Sequence, residues 1–319
     1  MSNMKHRTIL PDNKLRPFIQ YYWIVKDDSE EHLQLSMADG FTCIRFFRGG
    51  EQSFIQNIGV APTSTNAEWE ITVKNNDMQT VSSGILGPRI SSYALVAHKK
   101  IETIGVKFTM LGAQRMFGEK LGYLSDKYTN LSDFNDKSLI SLESTIMNTS
   151  LQNCISCMED YFLKRFSFSI KECNSDEIVN KVLLSCITSA KLADLADSAC
   201  CSVRTLNRII DAYTGLTPKQ IIRIARLSTT IKKMIDCTHL KCVDLQGIAS
   251  DCGFYDLPHM TKEMKTLCGY TPLQCVTFFR KYLDDNKLWV YQQGDTLIWG
   301  KVQDSSFRWC QNGVLQQSL

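Results

Sequence analysis

Leu206-Asn-Arg-Ile-Ile-Asp-Ala-Tyr-Thr-Gly-Leu-Thr-Pro218 and Met260-Thr-Lys-Glu-Met-Lys-Thr-Leu-Cys-Gly-Tyr-Thr-Pro272 follow one pattern, the second proline 54 positions after the first. Each stretch belongs to a unit that reads as helix, tight turn, helix. In the first unit Leu192, Leu195 and Ala196 form a short apolar helix face, Ala199-Cys200-Cys201 a small-residue turn, and Ser202 an N-cap. In the second, Leu245, Ile248 and Ala249, then Cys252-Gly253-Phe254, then Asp256 fill the same roles. An aspartate at that position also suits the positive end of the helix dipole.

The helix after Ser202 divides into two faces. Leu206, Ile210 and Tyr213 recur at helical spacing on one side, while Arg204, Asn207 and Arg208 fall on the other. A solvated stripe explains most such faces. This one carries the side chains that bond guanine and adenine edges in a major groove, on the second helix of a helix-turn-helix. Met260, Met264 and Leu267 repeat the buried side in the second unit, whose outer side is Leu257, Pro258, Thr261 and Lys262.

Between the units a helix is expected from Pro218, capped by Thr217, through Ile221, Ile224, Leu227, Ile231 and Met234 to Asp236. At 1.5 Å per residue it would be roughly 28 Å long. Such a rod holds two reading heads about one DNA turn apart, since major-groove faces repeat at roughly 34 Å.

This segment resembles the DNA-binding domain of the AraC/XylS family of bacterial transcription regulators. The resemblance is carried by Ser202, Arg204, Leu206 and Arg208, by Gly215-Leu216-Thr217-Pro218, Arg223 and Arg226-Leu227, and by Ile248-Ala249, Gly253-Phe254, Asp256, His259-Met260, Lys265, Gly269 and Thr271-Pro272. Four positions depart from it: Cys200 stands where glycine is common, Leu257-Pro258 replaces a polar pair, and Lys262 replaces a frequent arginine. The resemblance implies DNA contacts from Ser202, Arg204, Thr205, Asn207, Arg208, Lys219 and Arg223 in the first half, and from Leu257, Thr261 and Lys262 in the second. It implies double-stranded promoter or operator DNA as partner, with a small-molecule effector, a second copy of the chain and RNA polymerase as further candidates, and an activator acting in the cytoplasm without a membrane.

The composition fits that reading. With 319 residues, 44% of them hydrophobic, the chain is long enough for two cores, and a net charge of +3 alone does not announce a nucleic-acid binder. From Asp176 to Tyr282, however, 14 Lys/Arg face 10 Asp/Glu, so the basic excess lies where the heads are. Thirteen cysteines without a signal peptide or an apolar run of membrane-spanning length point to reduced, cytosolic thiols. Cys154-x-x-Cys157 lacks a second pair at ligand spacing, so no zinc site is expected. No Ser/His/Asp grouping, phosphate loop or metal-ligand cluster is found, and neither enzyme activity nor a cofactor is expected.

Residues 1 to about 135 change period. Phe18 to Val25, Phe41 to Phe47, Glu68 to Val73 and Ile101 to Phe108 are short, aromatic and β-branched, and are separated by Gly- and Pro-bearing turns. Ile104, Val106 and Phe108 predict a strand with one buried face. A barrel or sandwich follows, and the family resemblance makes it cupin-like. Its aromatic interior either holds a ligand or is filled by its own side chains. Arg45 and Arg89 read first as solvated surface charges and second as partners for a carboxylate or phosphate.

Residues 137 to 166 read as helical, with Met147, Leu151, Ile155, Met158 and Phe162 forming a stripe that packs on its own barrel or forms a dimer seam. The expected fold class is therefore α+β and multidomain: an N-terminal β-rich cupin-like barrel with helices over 1–166, a linker over 167–176, and an all-α domain over 177–282. That domain holds helix-turn-helix motifs near 191–213 and 244–267, joined by the linker helix 218–236. A β-hairpin-like appendage over 283–319 completes the chain, either as a lid or as a docking surface. The function read from this is sequence-specific DNA binding in response to an effector. The alternative is a partner-binding regulator that sequesters another protein without specific DNA binding.

Overall fold

A computed structural model of the chain describes residues 5–28, 32–49, 52–56, 58–62, 69–73, 78–97, 100–167, 192–237, 242–284, 288–293, 296–301, 307–311 and 314–316. The linker expected at 167–176 lies, apart from Ser167, outside the described residues.

The N-terminal half supplies twelve strands: β1 (Lys5–Ile9), β2 (Ile19–Asp27), β3 (His32–Ser36), β4 (Cys43–Gly49), β5 (Gln52–Gln56), β6 (Ile58–Pro62), β7 (Trp69–Val73), β8 (Met78–Val81), β9 (Gly84–Leu86), β10 (Tyr93–Ala97), β11 (Ile101–Phe108) and β12 (Tyr128–Asn130). One sheet runs β1-β2-β11-β4-β9-β12, and a second contains β3-β10-β5-β8. Side chains alternate along a strand, so each sheet has two faces to cover. Tyr21, Trp23, Phe47 and Tyr128 of the first sheet meet Phe54, Tyr93 and Leu95 of the second in one buried cluster. The two sheets thus face each other across an aromatic interior, without closing into a continuous barrel.

The outer face of the first sheet, with Tyr22, Ile44, Phe46, Ile104, Val106 and Phe108, is covered by helices α1 (Met110–Phe117), α2 (Leu121–Leu124), α3 (Leu131–Phe134), α4 (Lys137–Asn148) and α5 (Cys154–Phe166). The helical stretch expected over 137–166 is formed by two helices, α4 and α5, separated between Asn148 and Cys154, where the Asn153 and Cys154 amides donate to the Ser150 carbonyl. A fresh start at Asn153 still leaves Met158 and Phe162 fully buried against the sheet, and Met147, Leu151 and Ile155 beside them. The stripe packs on its own domain. Each fully buried Phe there contributes roughly 1.5–3 kcal/mol of hydrophobic stabilisation.

Two expectations for the strands need correction. β11 has no water-facing side, because Thr103 and Lys107, which alternate with Ile104 and Val106, are also buried, in the interior between the sheets. Arg45 and Arg89 are likewise not surface charges, at 5% and 1% exposure. The arginines are covered by Phe54 and Tyr93 of the second sheet, and Lys107 by Asp39 and Phe41 of the loop before β4, covers that the local pattern does not reveal.

The C-terminal half is helical: α6 (Leu192–Ser198), α7 (Val203–Thr214), α8 (Pro218–Asp236), α9 (Leu245–Asp251), α10 (Leu257–Leu267) and α11 (Pro272–Asp284). It packs against the N-terminal half along a broad seam. Met37, Ile55, Ala94 and Val96, on the outer face of the second sheet, share a core with Leu227, Ile231 and Met234 of α8 and with Met260 and Met264 of α10. Ala38 and Met110 join the core of the first head with Leu206, Ile210 and Leu216. The tail is tied in as well: β13 (Leu288–Gln293) and β14 (Thr296–Lys301) form the expected hairpin, β14 continues the second sheet beside β3, and β15 (Phe307–Gln311), paired with β16 (Val314–Gln316), runs parallel to β7.

Candidate nucleic-acid interface

Each helix that could meet DNA begins at a built cap. Ser202 Oγ accepts from the Thr205 amide, Asp256 Oδ1 from the His259 amide, and Thr217 forms a capping box with Gln220 ahead of Pro218. None of α7, α8 and α10 has an acidic residue in its first turn. The positive ends of α7 and α8, capped by the neutral Ser202 and Thr217, are therefore left for an outside anion such as a phosphate, whereas Asp256 already meets that of α10.

On α7 the apolar side, Leu206, Ile209, Ile210 and Tyr213, is buried, and Arg204 and Arg208 are exposed. Arg204, Thr205, Asn207, Arg208, Asp211 and Thr217 line an open concavity of about 640 Å3. Asn207 is not idle: its Nδ2 donates to the Val203 carbonyl at 2.7 Å, a bond it must exchange, at a net cost near 1 kcal/mol, to meet a base. Thr205 Oγ1 lies 2.9 Å from Ser202 Oγ. Lys219 is exposed in the first turn of α8, where a cation is disfavoured by roughly 0.3–1 kcal/mol against the dipole. A phosphate neighbour would reverse that sign.

The second head differs. Leu257 is half-buried against its core, Thr261 donates its hydroxyl to the Leu257 carbonyl at 2.8 Å, and Lys262 is exposed. Arg223, expected among the phosphate contacts, forms a two-point pair with Glu263 instead of standing free. Nearby, Arg226 lies 5.2 Å over the Phe254 ring and Lys233 meets Asp251 at 2.6 Å, the Asp251 hydrogen bond raising the lysine's affinity for its proton. Three contacts thus bind the rod to the second head.

The two turns are not equal in length. First helices α6 and α9 begin at Leu192 and Leu245, a spacing of 53, whereas the caps Ser202 and Asp256 are 54 apart. The added residue is Tyr255, 91% exposed, with its amide on His259 Nδ1 at 3.3 Å. Its signal in the sequence is the change of spacing, from 53 between the turn residues Cys200 and Gly253 to 54 between the caps. The left-handed turn residue is Gly253 in the second head, φ 73°, and Cys200 in the first, φ 52°. Gly215, φ 67°, ends α7 where a Cβ would lie 2.7 Å from the Leu121 carbonyl oxygen, so the first head meets the N-terminal half backbone to backbone.

Cysteines in this half are packing groups. Burial pushes the Cys268 thiol up to about 12 and the Cys275 thiol up as well. Among the described residues no group of His, Cys, Asp and Glu is placed to hold a metal ion, and no helix is long and apolar enough to cross a membrane.

Residues 195–277 match the family model described as a helix-turn-helix domain, and residues 7–130 match a domain of unknown function (DUF6597). No curated protein matches the chain. Among solved structures, ToxT from Vibrio cholerae in its P21 crystal form is 12% identical, with 88% of this chain and 98% of that one covered at a TM-score of 0.39. Wild-type ToxT from Vibrio cholerae strain SCE256, bound to an unsaturated fatty acid, is 15% identical over 77% of this chain and 94% of that one, TM-score 0.34. The AraC-like transcriptional activator CuxR is 13% identical over 70% and 85%, TM-score 0.22. Scores below 0.5 establish no shared ligand.

Proposed function

We propose that the chain, whose residues 195–277 match a helix-turn-helix family model, is a transcription regulator of the AraC/XylS type that reads an operator with both heads and adjusts that reading to a small effector held in its N-terminal half. The carrying observation is the pair of capped heads on one rod, with Arg204, Asn207 and Arg208 together on the open face of α7. Arg204, Asn207 and Arg208 supply most base reading, Leu257 and Thr261 offer apolar contact or a single hydrogen bond, and Ser202, Thr205, Lys219 and Lys262 meet the backbone. Arg223 acts through Glu263 by fixing the second head on the rod, and reaches a phosphate only when that pair opens.

The N-terminal sensor over 1–166, the DNA-binding domain over 177–282 and a tail closing on the sensor's sheets form the working division of the chain. Effector binding biases the heads rather than doing chemistry, so no reaction is assigned. A second copy, RNA polymerase and a cytoplasmic setting complete the proposal and rest on the family. Selection of bound sequences from a random duplex pool, followed by mobility shifts, tests it. One enriched motif with two half-sites about a helical turn apart is expected, whereas equal affinity for all duplexes would overturn the reading.

A further inference from the structure

Hydrogen bonds align the turns of the two heads. In the first head the Cys201 amide donates to the Ala196 carbonyl at 3.0 Å, and in the second the Phe254 amide donates to the Ala249 carbonyl at 2.9 Å. Cys201 and Phe254 are therefore equivalent, and each packs on the core of its own head. The cap Ser202 follows Cys201 at once, whereas Tyr255 stands between Phe254 and the cap Asp256. Its ring has no place in the core and is 91% exposed, more than any other large hydrophobic side chain among the described residues.

The ring stands in water on a fixed root. The Tyr255 amide donates to His259 Nδ1 at 3.3 Å, the His259 amide donates to Asp256 Oδ1 at 2.7 Å, and the imidazole is edge-on to the Phe254 ring with centres 5.5 Å apart. Phe254 in turn lies under the Arg226 guanidinium of the rod at 5.2 Å. A side chain presented from such a root has less freedom to lose when it meets a partner.

Around it the second head is short of outward donors. Pro258, two residues past its cap, has no N–H, and it stands where the first head has Arg204, two residues past Ser202. Thr261 spends its hydroxyl proton on the Leu257 carbonyl, and the Asp256 carboxylate already meets the positive end of α10. Leu273, 66% exposed in the first turn of α11, stands where Lys219 begins α8. A phenol beside the cap supplies a donor that these four positions do not.

Resting on the operator reading above, we infer that Tyr255 is a DNA-contact residue of the second head: its Oη donates to a backbone phosphate beside the second half-site and so sets the register in which α10 enters the groove. Tyrosine hydroxyls are among the groups that position proteins on phosphate oxygens. The bond adds no formal charge and releases no counterion, so its share of the affinity persists in salt that weakens the contact of Lys262.

The test is binding of the full chain to its selected operator at two salt concentrations, for the wild type, Tyr255→Phe and Tyr255→Ala, with phosphate-ethylation interference on the same duplex. Tyr255→Phe keeps the ring and removes the donor, and should weaken binding about two- to tenfold, with Tyr255→Ala at least as weak. Both variants should keep the wild-type salt slope and melting temperature. Ethylation of one phosphate at the second half-site should impair the wild type and no longer impair either variant. Full affinity in Tyr255→Phe, a flatter salt slope in either variant, or an interference pattern unchanged by the substitutions would overturn the assignment. If the wild type selects an operator and Tyr255→Ala matches it, the operator reading stands and only this residue fails; a wild type that prefers no duplex overturns both.

Discussion

Arg223 on the rod grips Glu263 on the second recognition helix at two points, Nε to Oε2 at 2.6 Å and Nη2 to Oε1 at 3.1 Å. The pair joins elements 40 residues apart in sequence and is partly shielded, its side chains 30% and 21% exposed. Two-point geometry raises its value above an ordinary surface pair, while screening keeps it near 1 kcal/mol. Arg223→Ala should shorten the protected footprint on the second half-site and leave the first half-site intact. Uniform weakening on all DNA with a flatter salt slope would instead show that Arg223 meets a phosphate directly.

The heads should divide the work unequally. Arg204→Ala and Arg208→Ala should each cost roughly 1–3 kcal/mol on the preferred operator and relax choice at one or two base pairs, while Lys262→Ala should weaken every duplex and lower the salt slope by about one. Binding of the three variants to a base-substituted operator series at two salt concentrations measures this. Equal loss of specificity from Lys262→Ala and Arg204→Ala would show that the reading face is misassigned.

Much of the helical half is legible in sequence because its signals are local. Ser202, Thr217-Pro218 and Asp256 each announce a helix start within three residues, and each acts as a cap in the structure. The β half is less legible because its decisive contacts are distant. Nothing near Arg45 in sequence tells that Tyr93 will receive its Nη2, and nothing near Arg89 tells that Asp126 will face it. Lys107 looks like the wet side of a strand until the loop before β4 covers it, with the Phe41 ring 5.0 Å from its ammonium and Asp39 meeting it at 2.7 Å.

Cys200 occupies a left-handed conformation that costs a side chain roughly 1–2 kcal/mol relative to glycine. Glycine also loses more chain entropy on folding, which offsets part of the gain. Cys200→Gly should therefore raise stability by about 0.5–1 kcal/mol in thermal melts, and Cys200→Val should lower it. A lower melting temperature for Cys200→Gly would mean that the thiol makes a contact worth more than the strain.

Asp136 caps α4, its Oδ1 accepting from the Ser138 and Leu139 amides. Burial pushes its carboxyl up, but the Ser138 hydroxyl, those amides and Arg165 outweigh burial and hold it below the usual aspartate value. Its folded affinity for a proton is thus lower than the unfolded one, so its stabilisation is complete above the unfolded value near 3.9 and fades as pH falls through the folded value. Asp136→Ala should cost about 1 kcal/mol at pH 7. That difference from the wild type should shrink below about pH 4, and a pH-independent difference in urea melts would contradict the cap assignment.

The seam between the halves gives the last prediction. Ile55, Ala94 and Val96 belong to the second sheet, yet their buried neighbours are Leu227, Ile231 and Met234 of the rod, so the sheet's outer face and the rod's inner face exclude water from each other. Two such faces cannot separate without exposing both, and the full chain should unfold in one calorimetric transition. Val96, 6% exposed, is the position to disturb, because it faces the rod while its strand neighbours Leu95 and Ala97 do not enter that core. Val96→Asp places an unpaired carboxylate in an apolar seam, a change expected to cost a few kcal/mol. It should split the melt into two transitions, since the cores of the sandwich and of the heads remain intact. It should also uncouple operator binding from any effector that acts on the wild type. A single transition at lower temperature, with effector response kept, would show that the halves communicate by another route.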